Sequence, residues 1–265
     1  MKLSIVTINL NNKNGLQKTI NSVVNQTYKD YQWIVIDGGS SDGSKDLLKV
    51  YESEISLSIS EKDGGIYNAM NKGIKECYGE YVLFLNSGDY LFDNQVLEGA
   101  IKYLSGKDFY VGYQKSQSGI LRIGKVSNME NLANIFIFGT GFPHGSTFVK
   151  KTTFEKFGLY SEDAILSSDG WHFYKALFLG GAEVGIIPFI ITVFAPGGVS
   201  EGQTQMIHDE QSKFLSKYPL HQFLNNFYKE NYEIVKVLKS SQWFYNIFRV
   251  YFYFYRKRKL TKKTF

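Results

Sequence analysis

The feature that most constrains this chain is a regular alternation, over its first hundred residues, of short apolar runs and amphipathic stretches. Residues 3–8 form an uncharged, mostly apolar run, and a polar loop follows over 9–14. Leu16, Ile20, Val23 and Val24 then recur at i, i+4, i+7 and i+8, one face of a helix. A second run covers 33–36 and ends at Asp37. After the turn-rich stretch 38–43, Asp42 or Ser44 can cap a helix carrying Leu47, Leu48 and Tyr51. A third strand is expected over 55–59. Ile66, Met70 and Ile74 then fall four apart on one helical face. Residues 81–85 form a fourth apolar run, closed by Asn86-Ser87-Gly88-Asp89, and a further helix is expected over 95–104.

A βαβαβαβ order implies right-handed crossovers and a mostly parallel sheet with helices on both faces. In such sheets ligands bind beyond the carboxyl ends of the strands. Asn9, Asp37, Asp63 and Asp89 all sit where a strand or the loop after it ends, which makes them site candidates. The second half is less regular. Strands are expected over 109–114, 119–123, 146–149 and within 183–194, with a loop at Pro143-His144-Gly145. A helix is expected over 169–179 and a last one from near Gln205, while 128–138 is apolar without a clear period.

Composition narrows the class. The 265 residues suit one large α/β domain with at most a small appendage. The single cysteine, Cys77, rules out an intrachain disulfide and a cysteine-based metal site. It falls on the apolar side of its helix, where a buried thiol is expected. The start MKLSIVTINL lacks the apolar core of a secretory signal, so a cytoplasmic location is expected. Residues 249–265 hold seven basic and no acidic side chains, leaving 23 basic against 25 acidic in the rest. The positive charge is therefore local, unlike that of a nucleic-acid-binding body.

Several loops carry chemistry. Asp37-Gly38-Gly39-Ser40-Ser41-Asp42-Gly43-Ser44 lets backbone approach a ligand closely, and Asp37 can accept hydrogen bonds from a ribose or a base. A tight turn with a helix cap explains the same residues. The loop follows the second strand and has no GxGxxG or GxxxxGK[ST] spacing, against dinucleotide and P-loop readings. Asp63, before Gly64-Gly65, either caps the next helix or touches a nucleotide; Tyr67, Asn68, Asn71 and Lys72 lie near that helix's start. Asp89 follows four apolar residues and stands at a cleft edge, where a carboxylate can hold a divalent ion against a diphosphate. An Asx turn at a strand end is the alternative. Asp169 opens a helix that includes Trp171 and Tyr174, either as a cap or as a general base kept ionised by the helix terminus. His144 stands in a loop without HxH or HExxH spacing, against a histidine zinc site.

These motifs together resemble the inverting nucleotide-sugar glycosyltransferases of family 2, which have the GT-A fold. The likeness is strongest from Lys2 to about Asp89, through 4–9, 35–44, 61–73 and 79–89. It continues more weakly through His144, 168–177 and Gly197-Gly198-Val199-Ser200. The resemblance implies a GT-A catalytic domain over 1–204, with a nucleotide-binding half (1–104) and an acceptor-side half (105–204). A helical, membrane-associating extension is expected over 205–265. It implies nucleotide contacts at Thr7, Asn9, Asp37, Lys62, Asp63, Asn71 and Ser87, and a divalent metal, Mn²⁺ or Mg²⁺, at Asp89. Asp169 becomes the catalytic base, with His144 and Trp171 on the acceptor and diphosphate side. The family usually has aspartates where this chain has Asn86 and Gly88, so Asp89 alone is retained. The implied reaction is inverting transfer from a nucleotide sugar, most often a UDP-sugar, to a glycan or polyprenyl-linked hydroxyl in surface polysaccharide synthesis.

Residues 243–255 are rich in aromatics and run into Arg256-Lys257-Arg258-Lys259 and Lys262-Lys263. That pattern reads as an anchor on an anionic membrane surface, facing the cytoplasm. An oligomer contact and packing on the body are its alternatives. Two other functions compete for the whole chain. A sugar-phosphate nucleotidyltransferase needs a glycine-rich first loop, and residues 9–15 contain one glycine. A non-catalytic carbohydrate- or membrane-binding module would need no base at all.

Overall fold

A computed structural model describes residues 1–122, 142–199 and 201–217. Its first half follows the alternation: β1 (Leu3–Asn9), α1 (Lys13–Val24), β2 (Tyr31–Asp37), α2 (Ser44–Val50), β3 (Leu57–Ser60), α3 (Ile66–Glu76) and β4 (Tyr81–Phe84). Then come β5 (Tyr90–Leu91), α4 (Val96–Ile101), β6 (Phe109–Ser116) and β7 (Leu121–Arg122). After a single 3-10 turn at His144–Ser146 follow β8 (Thr147–Lys150), α5 (Lys151–Phe157), α6 (Ser168–Tyr174), β9 (Val184–Phe194) and α7 (Thr204–Leu215). The expected segment 128–138, residue 123 of the expected second hairpin strand and the aromatic, basic stretch 243–263 lie outside the described residues.

The strands described form one sheet in the order β3-β2-β1-β4-β8-β6-β9-β5, with β7 paired to β6. Strands β3, β2, β1 and β4 are parallel neighbours, as the crossover pattern requires. Strand β8 enters antiparallel between β4 and β6, and β5 pairs antiparallel with β9. Local periodicity does not encode these two reversals; they arise where long connections return.

Strand alternation divides the core in two. Leu3, Ile5, Trp33, Val35, Tyr81 and Leu83 face one side, where α1 brings Leu16, Ile20 and Val23 and α4 brings Val96, Leu97 and Ala100. Val6, Ile8, Ile34, Ile36, Val82 and Phe84 face the other, against Tyr67, Met70 and Ile74 of α3 and Phe173 of α6. Every residue of β1 and β4 is buried, which explains why these strands read as continuous apolar runs. Helix α3 lies close to β1, because a Cβ on Gly73 would come within 2.4 Å of Val6 Cγ1. Cys77 is buried as expected, and burial pushes its thiol up to about 12. The expected helix 169–179 is α-helical only to Tyr174 and continues as one π-helical stretch, Lys175–Leu179. Helix α7 is packed on the body: Phe214 stacks flat on Trp171, with ring centroids 5.0 Å apart.

Candidate active site

The carboxyl ends of β1, β2 and β4 set out one rim. At its centre Asp37, fully buried, takes four hydrogen bonds on its carboxylate. Asn9 Nδ2 (2.7 Å) and Ser40 Oγ (2.5 Å) donate to Oδ1, and the Ser40 amide (2.9 Å) and Ser60 Oγ (2.6 Å) donate to Oδ2. Burial alone would raise its pKa, but these donors outweigh it and hold the carboxyl below the usual carboxylate value. Asp37 thus ties β1, the glycine loop and the end of β3 together. The loop folds as it does because Gly39 adopts a positive φ of 85° and passes close to the Lys62 backbone.

Asp63 stands over that loop. A Cβ on Gly38 would lie 2.6 Å from Asp63 Oδ2 and 3.3 Å from Leu10 Cδ1, so the absence of a side chain lets Asp63 and Leu10 pack directly over the loop. Leu10 is 58% exposed beside it, and Lys62 is exposed as well. The Asp63 carboxylate also accepts from the Gly65 amide at 3.1 Å, a turn contact just before the helix; Gly65 is the N-cap and no side chain caps α3, so Asp63 does not serve as the expected cap. Asn9, Asp37, Lys62 and Asp63 are therefore brought together. Two other expected nucleotide contacts are turned inward. Thr7 is fully buried and its hydroxyl accepts from Trp33 Nε1 at 3.1 Å. Asn71 spends its amide on the 160–162 segment: Nδ2 donates to Tyr160 O and Glu162 Oε1, both at 2.9 Å, and Oδ1 accepts from Tyr160 N at 3.0 Å.

The Asn86-Ser87-Gly88-Asp89 turn is fastened to α1. Thr19 Oγ1 donates to Asp89 O at 2.7 Å and accepts from Gly88 N at 3.0 Å, and Asn12 Nδ2 donates to Ser87 O at 3.1 Å. Gly88 adopts φ 104°, which a side chain would resist. Asp89 Oδ1 accepts from the Ala195 amide at 2.9 Å. Burial nevertheless pushes the Asp89 carboxyl up to about 6, with that one amide opposing it. Asn86 Oδ1, in the same turn, is buried with no hydrogen-bond partner among the described residues. A carboxylate short of compensating charge and an unpaired amide oxygen fit a hard divalent cation that takes its other ligands from phosphate and water. The described residues hold no cluster of three or more His, Cys, Asp or Glu side chains.

Across the rim, a Cβ on Gly145 would lie 3.7 Å from Asp89 Oδ2, so the His144-Gly145 turn borders Asp89. The His144 ring stacks on Phe84 at 4.7 Å, and its Nε2 lies 3.0 Å from Tyr160 Oη. Burial lowers the His144 pKa although Asp169 pulls it up, so the imidazole is neutral at pH 7. Tyr160 meets Tyr67 edge-on at 5.6 Å, and the Tyr67 hydroxyl donates to Asp169 Oδ1 at 2.9 Å. Asp169, partly exposed in the first turn of α6, thus joins the His144 cluster. Trp171 is buried under Phe214, and its Nε1 has no partner among the described residues. Tyr67 is expected near the cleft from its place at the start of the helix, but nothing in the sequence links it to Asp169, 102 residues away, or marks Glu210. Glu210 of α7 accepts from the amides of Ile165 (2.6 Å) and Leu166 (3.1 Å), just before α6. A separate open groove of about 600 Å³ runs between α1 and β5, lined by Lys18, Asn21, Asn25, Tyr90, Asp93 and Gln117 among others.

The family profile described as "Glycosyl transferase family 2" matches residues 4–167, well over half the chain and nearly all of this rim. The chain belongs to glycosyl transferase family 2. An uncharacterized glycosyltransferase of Mycobacterium tuberculosis (strain H37Rv) is 42% identical over 106 residues, which are 40% of this chain and 40% of that relative. The match thus spans well under half of its length. A PGL/p-HBAD biosynthesis glycosyltransferase of Mycobacterium bovis (strain BCG) is 25% identical over 223 residues, 82% of this chain and 84% of that protein. The fold is similar to that of S. aureus TarS (residues 1–349) solved in complex with UDP. The TM-score is 0.63 at 16% identity, covering 82% of this chain and 72% of that one. Mannosyltransferase PcManGT from Pyrobaculum calidifontis, solved with GDP-Man and Mn²⁺, gives a TM-score of 0.60 at 16% identity, covering 82% and 63%. This family's GT-A-like architecture, one sheet between two helical layers, is the fold described above.

Proposed function

We propose that the chain transfers a sugar from a nucleoside-diphosphate donor, a UDP-sugar, to a hydroxyl of a glycan or lipid-linked acceptor with inversion at the anomeric carbon. The observation that carries this is the convergence of two carboxylates on the His144-Gly145 turn: Asp89 borders Gly145, and Asp169 reaches His144 through Tyr67 and Tyr160. One carboxylate serves the leaving diphosphate and the other the incoming hydroxyl. The relatives' names and the UDP and GDP-Man bound to the structural neighbours support a nucleotide-sugar donor.

In this reading the base and ribose lie against the surface that Leu10, Lys62 and Asp63 form over the glycine loop, with the buried Asn9 supporting that loop through Asp37 and Ser40. Asp37 holds the loop in shape, and Ser87 lies in the turn beneath the diphosphate. Asp89 with Asn86 would hold Mn²⁺ or Mg²⁺, which when bound neutralises charge developing on the leaving diphosphate. Asp169 takes the proton of the acceptor hydroxyl as its oxygen attacks the anomeric carbon from the face opposite the diphosphate. The neutral His144 offers a hydrogen bond without adding charge. The basic, aromatic residues 243–263 hold the enzyme at an anionic membrane surface on the cytoplasmic side, near a polyprenyl-linked acceptor. Among the described residues no helix is long and apolar enough to cross a membrane.

A panel of UDP- and GDP-sugars, assayed with Mn²⁺ or Mg²⁺ and membrane extract as acceptor, tests the reading. Asp169→Asn should lower transfer by roughly 10²-fold or more, the scale of general-base catalysis, while UDP binding persists. Full activity in that variant, or no transfer from any donor by the parent protein, contradicts it.

A further inference from the structure

Helix α3 carries a phenol into the site from the nucleotide-side half of the sheet. Tyr67 is 5% exposed, and its hydroxyl donates to Asp169 Oδ1 at 2.9 Å. No side chain among the described residues is hydrogen-bonded to Oδ2. A carboxylate held at one oxygen has a fixed plane and presents the other oxygen in a defined direction, as a base needs to meet an acceptor hydroxyl.

We propose that Tyr67 is the positioning residue of the catalytic base: its hydroxyl fixes Asp169 through Oδ1 and leaves Oδ2 to accept the proton. This rests on the reading of Asp169 as base. In the step itself, the acceptor O–H bond breaks, its proton goes to Oδ2, and its electron pair forms the bond to the anomeric carbon. The sugar–diphosphate bond breaks with its electrons to the leaving oxygen. Tyr67 keeps its own proton throughout. Burial, and then the adjacent Asp169 charge, hold the phenol far above its ordinary value, so it serves only as a donor.

The placement of the phenol is built in at three levels. Gly73 lets α3 lie against Val6 of β1, which sets the helix's distance from the sheet. Asn71, one turn after Tyr67, clamps the backbone of Tyr160, and the Tyr160 ring supports Tyr67 edge-on at 5.6 Å. Helix α3 also starts at Ile66, with Gly65 as its N-cap directly after the Asp63 loop. Tyr67 therefore joins the donor-side loop to the base by a single helical element. The inward turn of Asn71 acquires a purpose: it holds the segment against which the phenol rests.

The titratable groups around the pair are Tyr160 and His144 from the loop opposite, and His172 on α6 itself. Burial lowers both histidines, His172 to about 3, and raises Tyr160 well above its ordinary value, so all three are neutral near pH 7. Only the Tyr67 contact differs in its effect on Asp169 when the phenol is lost.

The test uses the full chain and Tyr67→Phe, which keeps the ring and removes one O–H. The loss of a hydrogen bond to a charged group should lower kcat roughly 10- to 100-fold, with the donor KM unchanged. A second readout needs no turnover. In a crystal structure of Tyr67→Phe the Asp169 carboxylate should leave the plane that the phenol fixes through Oδ1 in the parent. A carboxylate held as in the parent, or a parental kcat, overturns the proposal. If Asp169→Asn is inactive and Tyr67→Phe behaves as the parent, this inference alone falls. If Asp169→Asn is fully active, the base reading falls with it.

Discussion

At the scale of single residues, two aspartates of the rim show how environment sorts like groups. Asp37 ends β2 and Asp89 stands in the turn between β4 and β5, yet one is held below the usual carboxylate value and the other pushed up to about 6. Four donors on Asp37 outweigh its burial, whereas Asp89 receives one amide. The Asp89 carboxyl binds its proton more tightly folded than unfolded. Its ionisation therefore costs stability above about pH 6, and the cost vanishes as pH falls below the unfolded value of roughly 4. At pH 7.5, without added metal, Asp89→Asn should stabilise the protein by about 1–2 kcal/mol, seen as a higher melting temperature. The same variant should lose the further stabilisation that Mn²⁺ with UDP gives the parent. An unchanged response to Mn²⁺ and UDP would remove Asp89 from the metal site.

At the scale of elements, α6 and the loop before it are held from two sides, by α3 through Tyr67 and by α7 through Glu210 and Phe214. The residues of α7 thus reach back to the segment that presents Asp169. Alanine is the strongest helix former, so Glu210→Ala should leave α7 intact while freeing two amides. Hydrogen exchange at Ile165 and Leu166 should then accelerate by roughly tenfold or more, for about 1.5–3 kcal/mol lost at a charged acceptor. Amides of α1 should keep their parental rates. Parental exchange at 165 and 166 would show that α7 does not hold this loop. Element legibility followed burial. Strands β1, β2 and β4 could be read from sequence because both faces are covered and few polar residues interrupt them. Helix α5 could not, since only Thr153 and Phe154 of its seven residues are buried and no stripe forms. Strand β5 has two residues, too few for any period, and the π-helical stretch after Tyr174 depends on a bonding pattern that side-chain spacing does not record.

At the scale of the whole molecule, the sheet gathers at one rim what the chain spreads over 160 residues, from Asn9 to Asp169. The sequence marks which residues carry chemistry, because Asp37, Asp89, His144 and Asp169 stand at strand ends, in loops or at a helix start. It does not mark what they touch. The Tyr67–Asp169 bond and the His144–Tyr160 contact depend on β8 inserting beside β4, a long-range event. For the same reason Thr7 and Asn71 looked available in sequence and are occupied by Trp33 and by the 160–162 segment. The proposed reaction requires the donor diphosphate to lie between Asp89 and Asp169. A crystal of the full chain grown with UDP and Mn²⁺, with the metal located by its anomalous scattering, measures this directly. Mn²⁺ should lie on Asp89, with the diphosphate against the His144-Gly145 turn and facing Asp169. Nucleotide and metal bound elsewhere, as in the groove between α1 and β5, would contradict it.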